Sequence, residues 1–225
     1  MADDLVRLQS VSRRFQTRGG TIEAISNVTC SIKRGDRIAI MGDSGSGKST
    51  LMALMANLDT PSEGSISWPG FEPGARLRPR HIGVAFQSPS LLPSLTIAEN
   101  VEVPLVIAGD TTEAGERVAS ALASAGLAHA ANRLPEELSG GQAQRAGVAR
   151  AMVTSPHLLL ADEPTGQLDQ NTARQLIDML FGWAERSGAA IVIATHDHAL
   201  ARHFRTIWHI NHGRLEIGQV SRVAS

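Results

Sequence analysis

One glycine-rich segment limits the possible folds of this chain more than any other feature. Residues 42–50, Gly-Asp-Ser-Gly-Ser-Gly-Lys-Ser-Thr, follow the apolar run Ile38–Met41 and match the pattern G-x-x-x-x-G-K-[ST]. From Lys48 onward the apolar residues are spaced as on one face of a helix. A buried strand, a glycine loop and a helix in this order predict a phosphate-binding loop in an α/β protein.

The residue types in this loop suit phosphate. Glycines let successive backbone N–H groups point inward, and the start of the next helix adds partial positive charge. We expect Lys48 to bring its charge to the β- and γ-phosphates of a nucleotide and the Ser49 hydroxyl to coordinate Mg²⁺. The predicted nucleotide-binding residues of the loop are Gly42, Asp43, Ser44, Gly45, Ser46, Gly47, Lys48, Ser49 and Thr50.

A second apolar run, His157–Ala161, ends in the acidic pair Asp162 and Glu163. Carboxylates at the end of a buried strand carry a large desolvation cost unless they meet a cation. With a phosphate loop in the same chain, we expect Asp162 to bind Mg²⁺. We expect Glu163 to polarise the water that attacks the γ-phosphate.

The spacing of apolar residues along the rest of the chain predicts a fold of alternating strands and helices. Residues 5–15 and 22–32 alternate around a turn at 16–21, which predicts an antiparallel hairpin. Strands separated by helices then predict a mainly parallel sheet, and the block 88–150 has no clear strand, so we expect it to be an inserted helical subdomain. Further strands are predicted at 38–41, 66–68, 81–86, 157–161, 189–195, 206–211 and 215–220. Helices are predicted from 48, over 96–126 with breaks at Pro104 and Gly109-Asp110, from 140 to about 153, over 170–186, and briefly after 198.

Composition excludes several classes of protein. The 225 residues carry 21 basic and 22 acidic side chains, a balance that argues against nucleic-acid binding through net charge. Cys30 is the only cysteine, which excludes an internal disulfide and favours a reducing compartment. No apolar run approaches the ~18–20 residues of a membrane span, and residues 1–5 lack the pattern of a signal peptide. We therefore expect a cytoplasmic protein, held at a membrane only by a partner.

The segment Leu138-Ser-Gly-Gly-Gln142 lies between the phosphate loop and the acidic pair, with Ser139 placed to cap a helix. Because this segment occurs together with the phosphate loop and the acidic pair, the chain resembles the ATP-binding-cassette (ABC) ATPases along essentially its whole length. Four further positions match family motifs: Gln87 the Q-loop, Asp169 the D-loop, His196 the switch histidine and Phe15 the aromatic that stacks on adenine.

The resemblance implies a P-loop NTPase fold in a single domain, 1–225. About 1–87 and 151–225 would form the nucleotide-binding core with an antiparallel β-subdomain, and about 88–150 the helical subdomain. It also implies a head-to-tail dimer that sandwiches ATP, with Ser139 and Gly141 contacting the γ-phosphate of the partner's nucleotide. Gly140 and Gln142 would be nucleotide-binding residues of the same segment. Asp169 would couple the two sites, Glu163 would be the general base, His196 would hold the γ-phosphate and water, and Gln87 would join Ser49 and Asp162 at Mg²⁺.

Residues 86–101 and 161–169 are similar to the lipoprotein-releasing and macrolide-export ATPases, which usually have Asn where this chain has Gln167. This resemblance implies a peripheral subunit on the inner face of the membrane, bound to permease subunits, with a homodimer or heterodimer of ATPase subunits left open. An importer ATPase and a non-transport ABC ATPase remain alternatives. Leu91, Leu92, Leu95 and Ile97 either line a groove for the permease or pack the subdomain core. Arg76, Arg78 and Arg80 form a solvated loop or contact lipid headgroups.

Overall fold

The computed structural model describes residues 4–219. Two predictions fall partly outside this range. One is the lack of a signal peptide, which concerned residues 1–5 and so includes residues 1–3. The other is the end of the last strand at Val220. The chain divides by internal contacts into two units: one combines residues up to Ala75 with those from Ala190 onward, and the other is Arg76–Ala189. The predicted limits of the helical subdomain, 88–150, remain a prediction.

The first unit contains an antiparallel sheet that begins with the predicted hairpin. The order is β2-β1-β4, and both pairings are antiparallel. Gln16 pairs with Thr21 and Thr17 with Gly20, so the predicted turn at 16–21 is wrong in length and only residues 18 and 19 turn. The strands are β1 (Asp4–Thr17), β2 (Gly20–Lys33) and β4 (Glu63–Ser67).

A second, mainly parallel sheet in this unit holds the apolar run before the phosphate loop. Its central strand β3 (Arg37–Met41) runs parallel to β7 (Ala190–Thr195) and β8 (Thr206–Asn211), and β9 (Arg214–Gln219) is antiparallel to β8. Every residue of β7 is buried, as expected for a parallel strand covered on both faces. The unit also contains the helices α1 (Lys48–Met55) and α6 (His198–Ala201).

The second unit contains two parallel strands and most of the helices. The strands are β5 (Ile82–Ala85) and β6 (Leu158–Asp162), and between Gln87 and Arg150 there is no strand, as predicted. An apolar core joins three helices through side chains that include Val101, Val118 and Ala149. The helices are α2 (Ile97–Ala108), α3 (Ala114–Ser124), α4 (Gly140–Met152) and α5 (Gln170–Ser187), with single 3-10 turns at Ala128–Ala130 and Pro135–Glu137.

Helix α2 corrects one prediction. Pro104 lies inside it and does not interrupt it, although proline removes one helical N–H bond. Helix α2 is anchored at both ends by other means: a capping box joins Thr96 and Glu99 at its start, and Gly109 ends it in the left-handed conformation, as predicted for the Gly109-Asp110 break. Burial of Val101 and Leu105 on either side of the proline turn holds the helix together.

None of the helices in residues 4–219 is both long enough and apolar enough to cross a membrane.

Candidate nucleotide-binding site

The phosphate loop leaves the carboxyl end of β3, where the neighbouring strand also carries a predicted site residue. Met41 pairs with Thr195 in parallel register, so Gly42 and His196 begin at the same edge of the sheet. Open α/β sheets bind ligands at this edge, because the loops and helix N-termini that follow the strands meet there. The first unit therefore places the loop and His196 at the end of the sheet where a nucleotide is expected.

Two glycines of the loop are required by close contacts with backbone. A Cβ at Gly42 would collide with the carbonyl oxygen of Ile210, and one at Gly47 with the carbonyl oxygen of Ala24. Gly45 differs, because it has a φ of +78° and nothing lies within 4 Å of its Cβ position. The loop is thus packed against the protein at 42 and 47 and open at 45.

The charged and hydroxyl groups of the loop fit an anion. Lys48 is only 6% exposed, and its Nζ donates to the carbonyl oxygens of Gly42 at 2.7 Å and Asp43 at 2.8 Å. The buried Ser46 Oγ has no hydrogen-bond partner among residues 4–219. A buried hydroxyl without a partner is costly, and a phosphate oxygen would satisfy it.

Phe15 lies near the end of β1 and is 37% exposed. The guanidinium carbon of Arg13 lies 4.4 Å from the centroid of the Phe15 ring, and Arg13 Nε also donates to Asp59 at 2.8 Å. This cation–π contact orients the ring and occupies one of its faces. The role of Phe15 as an adenine platform stays a prediction.

The second unit brings three predicted residues to one edge of its strand pair. Ala85 pairs with Ala161 in parallel register, so Gln87 and the acidic pair follow adjacent strand ends. Glu163 has a left-handed φ of +45°, unusual for a residue with a side chain, and its carbonyl accepts from Gly166 N at 3.1 Å in a tight turn. Such strain is typical of functional positions, which supports the predicted role of Glu163.

The predicted metal donors are oxygen atoms from a hydroxyl, an amide and a carboxylate, on Ser49, Gln87 and Asp162. Magnesium prefers such hard donors and keeps several waters, so it does not need a cage of protein ligands. Among residues 4–219 there is no group of three or more His, Cys, Asp or Glu side chains able to hold a metal. Each of these three donors is thus of a type that Mg²⁺ accepts, and their shared metal site stays a prediction.

The segment 138–142 begins α4 as predicted, with Ser139 as the N-cap. Ser139 Oγ accepts from Gln142 N at 3.3 Å, and Gln142 Oε1 accepts from Ser139 N at 3.0 Å. A Cβ on Gly140 would lie 2.6 Å from Gln167 Oε1, and one on Gly141 would lie 2.9 Å from a methyl of Leu168. The start of this helix thus packs closely on the side chains of residues 167 and 168, whose ends would have to move if either glycine carried a side chain.

Asp169 has a structural task that the sequence did not reveal. Its Oδ1 accepts from the backbone N–H groups of Asn171 and Thr172, and its Oδ2 accepts from the Thr172 hydroxyl at 2.6 Å. These bonds, the Thr172 hydroxyl first, lower the pKa of the Asp169 carboxyl. Asp169 thus caps α5, and its coupling role stays a prediction.

Sequence reasoning gave no role to Asn100 and Arg150, although both organise the segment that follows β5. Asn100 is fully buried and bonds to the backbone of 92–96, and Arg150 bonds to the backbone of 89–90. The only local signal in the sequence was that Asn100 is a polar residue on the otherwise apolar buried face of α2.

Comparison with known proteins identifies the family. The model of the ABC transporter family matches residues 25–166. The chain belongs to this family. It is 38% identical over 223 residues to the lipoprotein-releasing system ATP-binding protein LolD of Legionella pneumophila, covering 96% of this chain and 98% of that protein. It is 42% identical to the macrolide export ATP-binding/permease protein MacB of Burkholderia pseudomallei over 96% of its own length, but spans only 34% of that relative.

Comparison with solved structures gives the same family. The dimeric ATP-binding cassette MJ0796, bound to ADP and Pi after hydrolysis, matches with a TM-score of 0.87 and 35% identity over 94% of this chain and 98% of that one. The cassette cbiO1 of Clostridium perfringens matches with a TM-score of 0.81 and 28% identity, covering 97% and 89%. The predicted ABC ATPase fold and the resemblance to the lipoprotein-releasing and macrolide-export group are confirmed.

Proposed function

We propose that this ABC ATPase is the subunit that binds and hydrolyses ATP to drive a membrane permease of the export or lipoprotein-extraction type. The observation that carries this proposal is the phosphate loop, in which a buried ammonium and an unpartnered buried hydroxyl lie at the carboxyl edge of the sheet. The likeness to LolD, which extends over nearly the whole of both chains, supports the type of transporter.

The proposed chemistry assigns one task to each group. The loop N–H groups and Lys48 bind the β- and γ-phosphates of ATP, and Phe15 stacks on the adenine. Glu163 accepts a proton from the attacking water, the water oxygen bonds to the γ-phosphorus, and the bond to the bridging oxygen breaks so that ADP leaves with the electron pair. His196 orients the water and the γ-phosphate. Magnesium, held by Ser49, Gln87 and Asp162, would neutralise phosphate charge.

We propose that two copies complete each site, as a dimeric arrangement in MJ0796 suggests. The capped start of α4 offers Ser139, Gly140, Gly141 and Gln142 to the γ-phosphate bound by the partner copy, because a helix N-terminus favours anions. Asp169 would lie at the junction of the two sites. Hydrolysis would then remove the γ-phosphate that holds the copies together.

An apolar cleft of about 230 Å³ is the proposed docking surface for a cytoplasmic segment of the permease. Phe86 and Ile107 line it and are 46% and 62% exposed, a large apolar area for side chains without a partner. Four residues were predicted either to face the permease or to pack the core. Ile97 is buried in the core and Leu91 packs against it, whereas Leu95 is half-buried and Leu92 is exposed. Binding there would hold the subunit peripherally at the inner face of the membrane.

The variant Glu163→Gln tests this proposal. It should still bind ATP and form a stable dimer with it, visible by light scattering, while phosphate release falls by about 100-fold or more, because the base is lost. Asp178→Asn, which neutralises an exposed carboxylate on α5, is the matched control and should leave both unchanged. Turnover at the wild-type rate in Glu163→Gln would contradict the assigned base, and a monomer with ATP would contradict the sandwich.

The permease itself can be identified from the same variant. Tagged Glu163→Gln, expressed in the native cell and gently solubilised, should co-purify with a multi-pass membrane protein that carries a large extracytoplasmic domain. Recovery of an importer-type permease with a soluble binding protein would reverse the proposed direction, and recovery of only ribosomal or repair proteins would exclude the transporter role.

A further inference from the structure

The segment after β5 is held by one arginine from a distant part of the chain. Arg150, near the end of α4, donates from Nη2 to the carbonyl oxygen of Pro89 at 2.5 Å and from Nη1 to that of Ser90 at 2.9 Å. A planar guanidinium can donate to two acceptors at once in a fixed geometry, which a lysine ammonium does not reproduce. Residues 89 and 90 are therefore bound to α4 in one orientation.

Two further residues of α4 contact the same segment. Gln144 is 1% exposed and its Nε2 lies 3.5 Å from the carbonyl oxygen of Phe86. Gly147 packs so closely that a Cβ there would lie 3.2 Å from Pro89 Cβ. Positions 144, 147 and 150 are three apart and so share one face of the helix. This face holds residues 86–90, which include Gln87.

The other end of the segment is fixed as firmly by α2. Asn100 Oδ1 accepts from Leu92 N at 2.7 Å, and its Nδ2 donates to the carbonyl oxygens of Leu92 at 3.1 Å, Leu95 at 2.9 Å and Thr96 at 3.0 Å. Residues 86–96 are thus tied to two helices and are not a freely moving loop. The hydrogen bonds that join this segment to α4 are those of Gln144 and Arg150 to residues 86, 89 and 90.

The opposite end of α4 carries the Ser139 cap and the glycines proposed to meet the partner's nucleotide. Ser139 and Arg150 are 11 residues apart along this helix, so they are separated by about 16 Å on one rigid element. We propose that Arg150 is a positioning residue that makes Gln87 and the exposed Phe86 move with the Ser139 end of α4 when nucleotide binds. This inference rests on the proposed function, because it needs ATP to act at Ser139.

The experiment compares amide hydrogen exchange with and without ATP in the full-length chain carrying Glu163→Gln. Three peptides are followed: 42–50 for nucleotide binding, 139–152 for α4 with its Ser139 cap, and 86–92 for the coupled segment. In the parent all three should gain protection with ATP. Adding Arg150→Met should leave the gain at 42–50 and 139–152 and abolish it at 86–92, while Arg150→Lys should restore it in part.

Arg117→Met is the matched control. Arg117 is a partly buried arginine of the same unit. It donates to Asp110 and to the carbonyl oxygen of Val153, and neither of these acceptors lies in the coupled segment 86–92. It should preserve the ATP response of all three peptides. With Glu163 intact, Arg150→Met should lower kcat about tenfold and change KM less than about twofold, since small displacements of catalytic groups act on the chemical step.

Gly147→Ala covers the case in which Arg150→Met fails to fold. Alanine favours the helix, and its methyl would push against Pro89 while Arg150 remains, so the response at 86–92 should again fall. A full response at 86–92 in both variants would overturn the inference while leaving the proposed function intact. No ATP-dependent protection at 42–50 in the parent would overturn the proposed function and this inference with it.

Discussion

Lys48 shows how a single buried charge is kept ready for its ligand. Its ammonium is 6% exposed and bonded to two carbonyl oxygens of the loop that precedes it. Those carbonyls replace water, so the charge is tolerated before a phosphate arrives. A phosphate then adds acceptors beside an ammonium that is already in place, which lowers the cost of ordering the side chain on binding.

His81 in the second unit makes the stability of the protein depend on pH. The Nδ1 atoms of His81 and His157 are 3.4 Å apart and their rings stack with centroids at 5.5 Å. Burial, and then the charge of Arg80, lower the pKa of His81 below its usual 6.5. The unfolded chain therefore binds more protons than the folded one below about pH 6.5, so stability is complete above that pH and falls as the pH drops through the folded pKa.

Melting temperatures between about pH 5 and 8 test this. The wild-type protein should lose stability on acidification, and His81→Gln should flatten the profile because the titrating group is gone. His129→Gln, at an exposed histidine of the same unit, is the control and should keep the wild-type slope. An unchanged slope in His81→Gln would contradict the assignment.

At the scale of elements, two helices begin with the same capping box but have different proposed roles. Thr96 and Glu99 cap α2, and Ser139 and Gln142 cap α4. Ser139→Ala and Thr96→Ala should each lower the free energy of unfolding by about 1 kcal/mol, because each leaves helix N–H groups without a partner. Only Ser139→Ala should also weaken the ATP-dependent dimer of Glu163→Gln, since only Ser139 is proposed to meet a phosphate.

Denaturant unfolding and light scattering separate the two effects. Equal losses of stability with dimerisation impaired only by Ser139→Ala would support the phosphate contact. If Thr96→Ala impaired the dimer equally, the effect would come from helix stability alone and the proposed contact would be wrong.

At the scale of the whole molecule, ATP should stabilise the fold, because it binds the native state and not the unfolded chain. At a concentration of about 100 times the dissociation constant, the gain is about 2.7 kcal/mol for one site. Lys48→Ala should abolish most of this gain. Lys33→Ala, which changes the only other lysine of the chain at an exposed position, should retain it.

Thermal unfolding at increasing ATP concentration, with Mg²⁺ present, measures the gain. A shift in melting temperature that is equal in Lys48→Ala and the wild type would show that nucleotide binds elsewhere, and the phosphate-loop assignment would then be wrong.

The sequence by itself determined the family, the order of the motifs and most of the strands and helices. These features depend on short-range chemistry: the glycines, lysine and hydroxyl of the loop, the acidic pair after an apolar strand, and the Ser139 cap of α4. Each is encoded within about ten neighbouring residues, so local patterns were enough to find them.

Only the tertiary structure decided how long the first hairpin is, that α2 continues through Pro104, and that Ile97 belongs to the core. Packing against distant residues outweighs local preference at these positions. The same holds for Arg150, whose acceptors lie 60 and 61 residues away, and for the Nδ1 contact of His81 and His157 across 76 residues. No periodicity or spacing signals such pairs, because they exist only once the parallel strands and the helices around them have assembled.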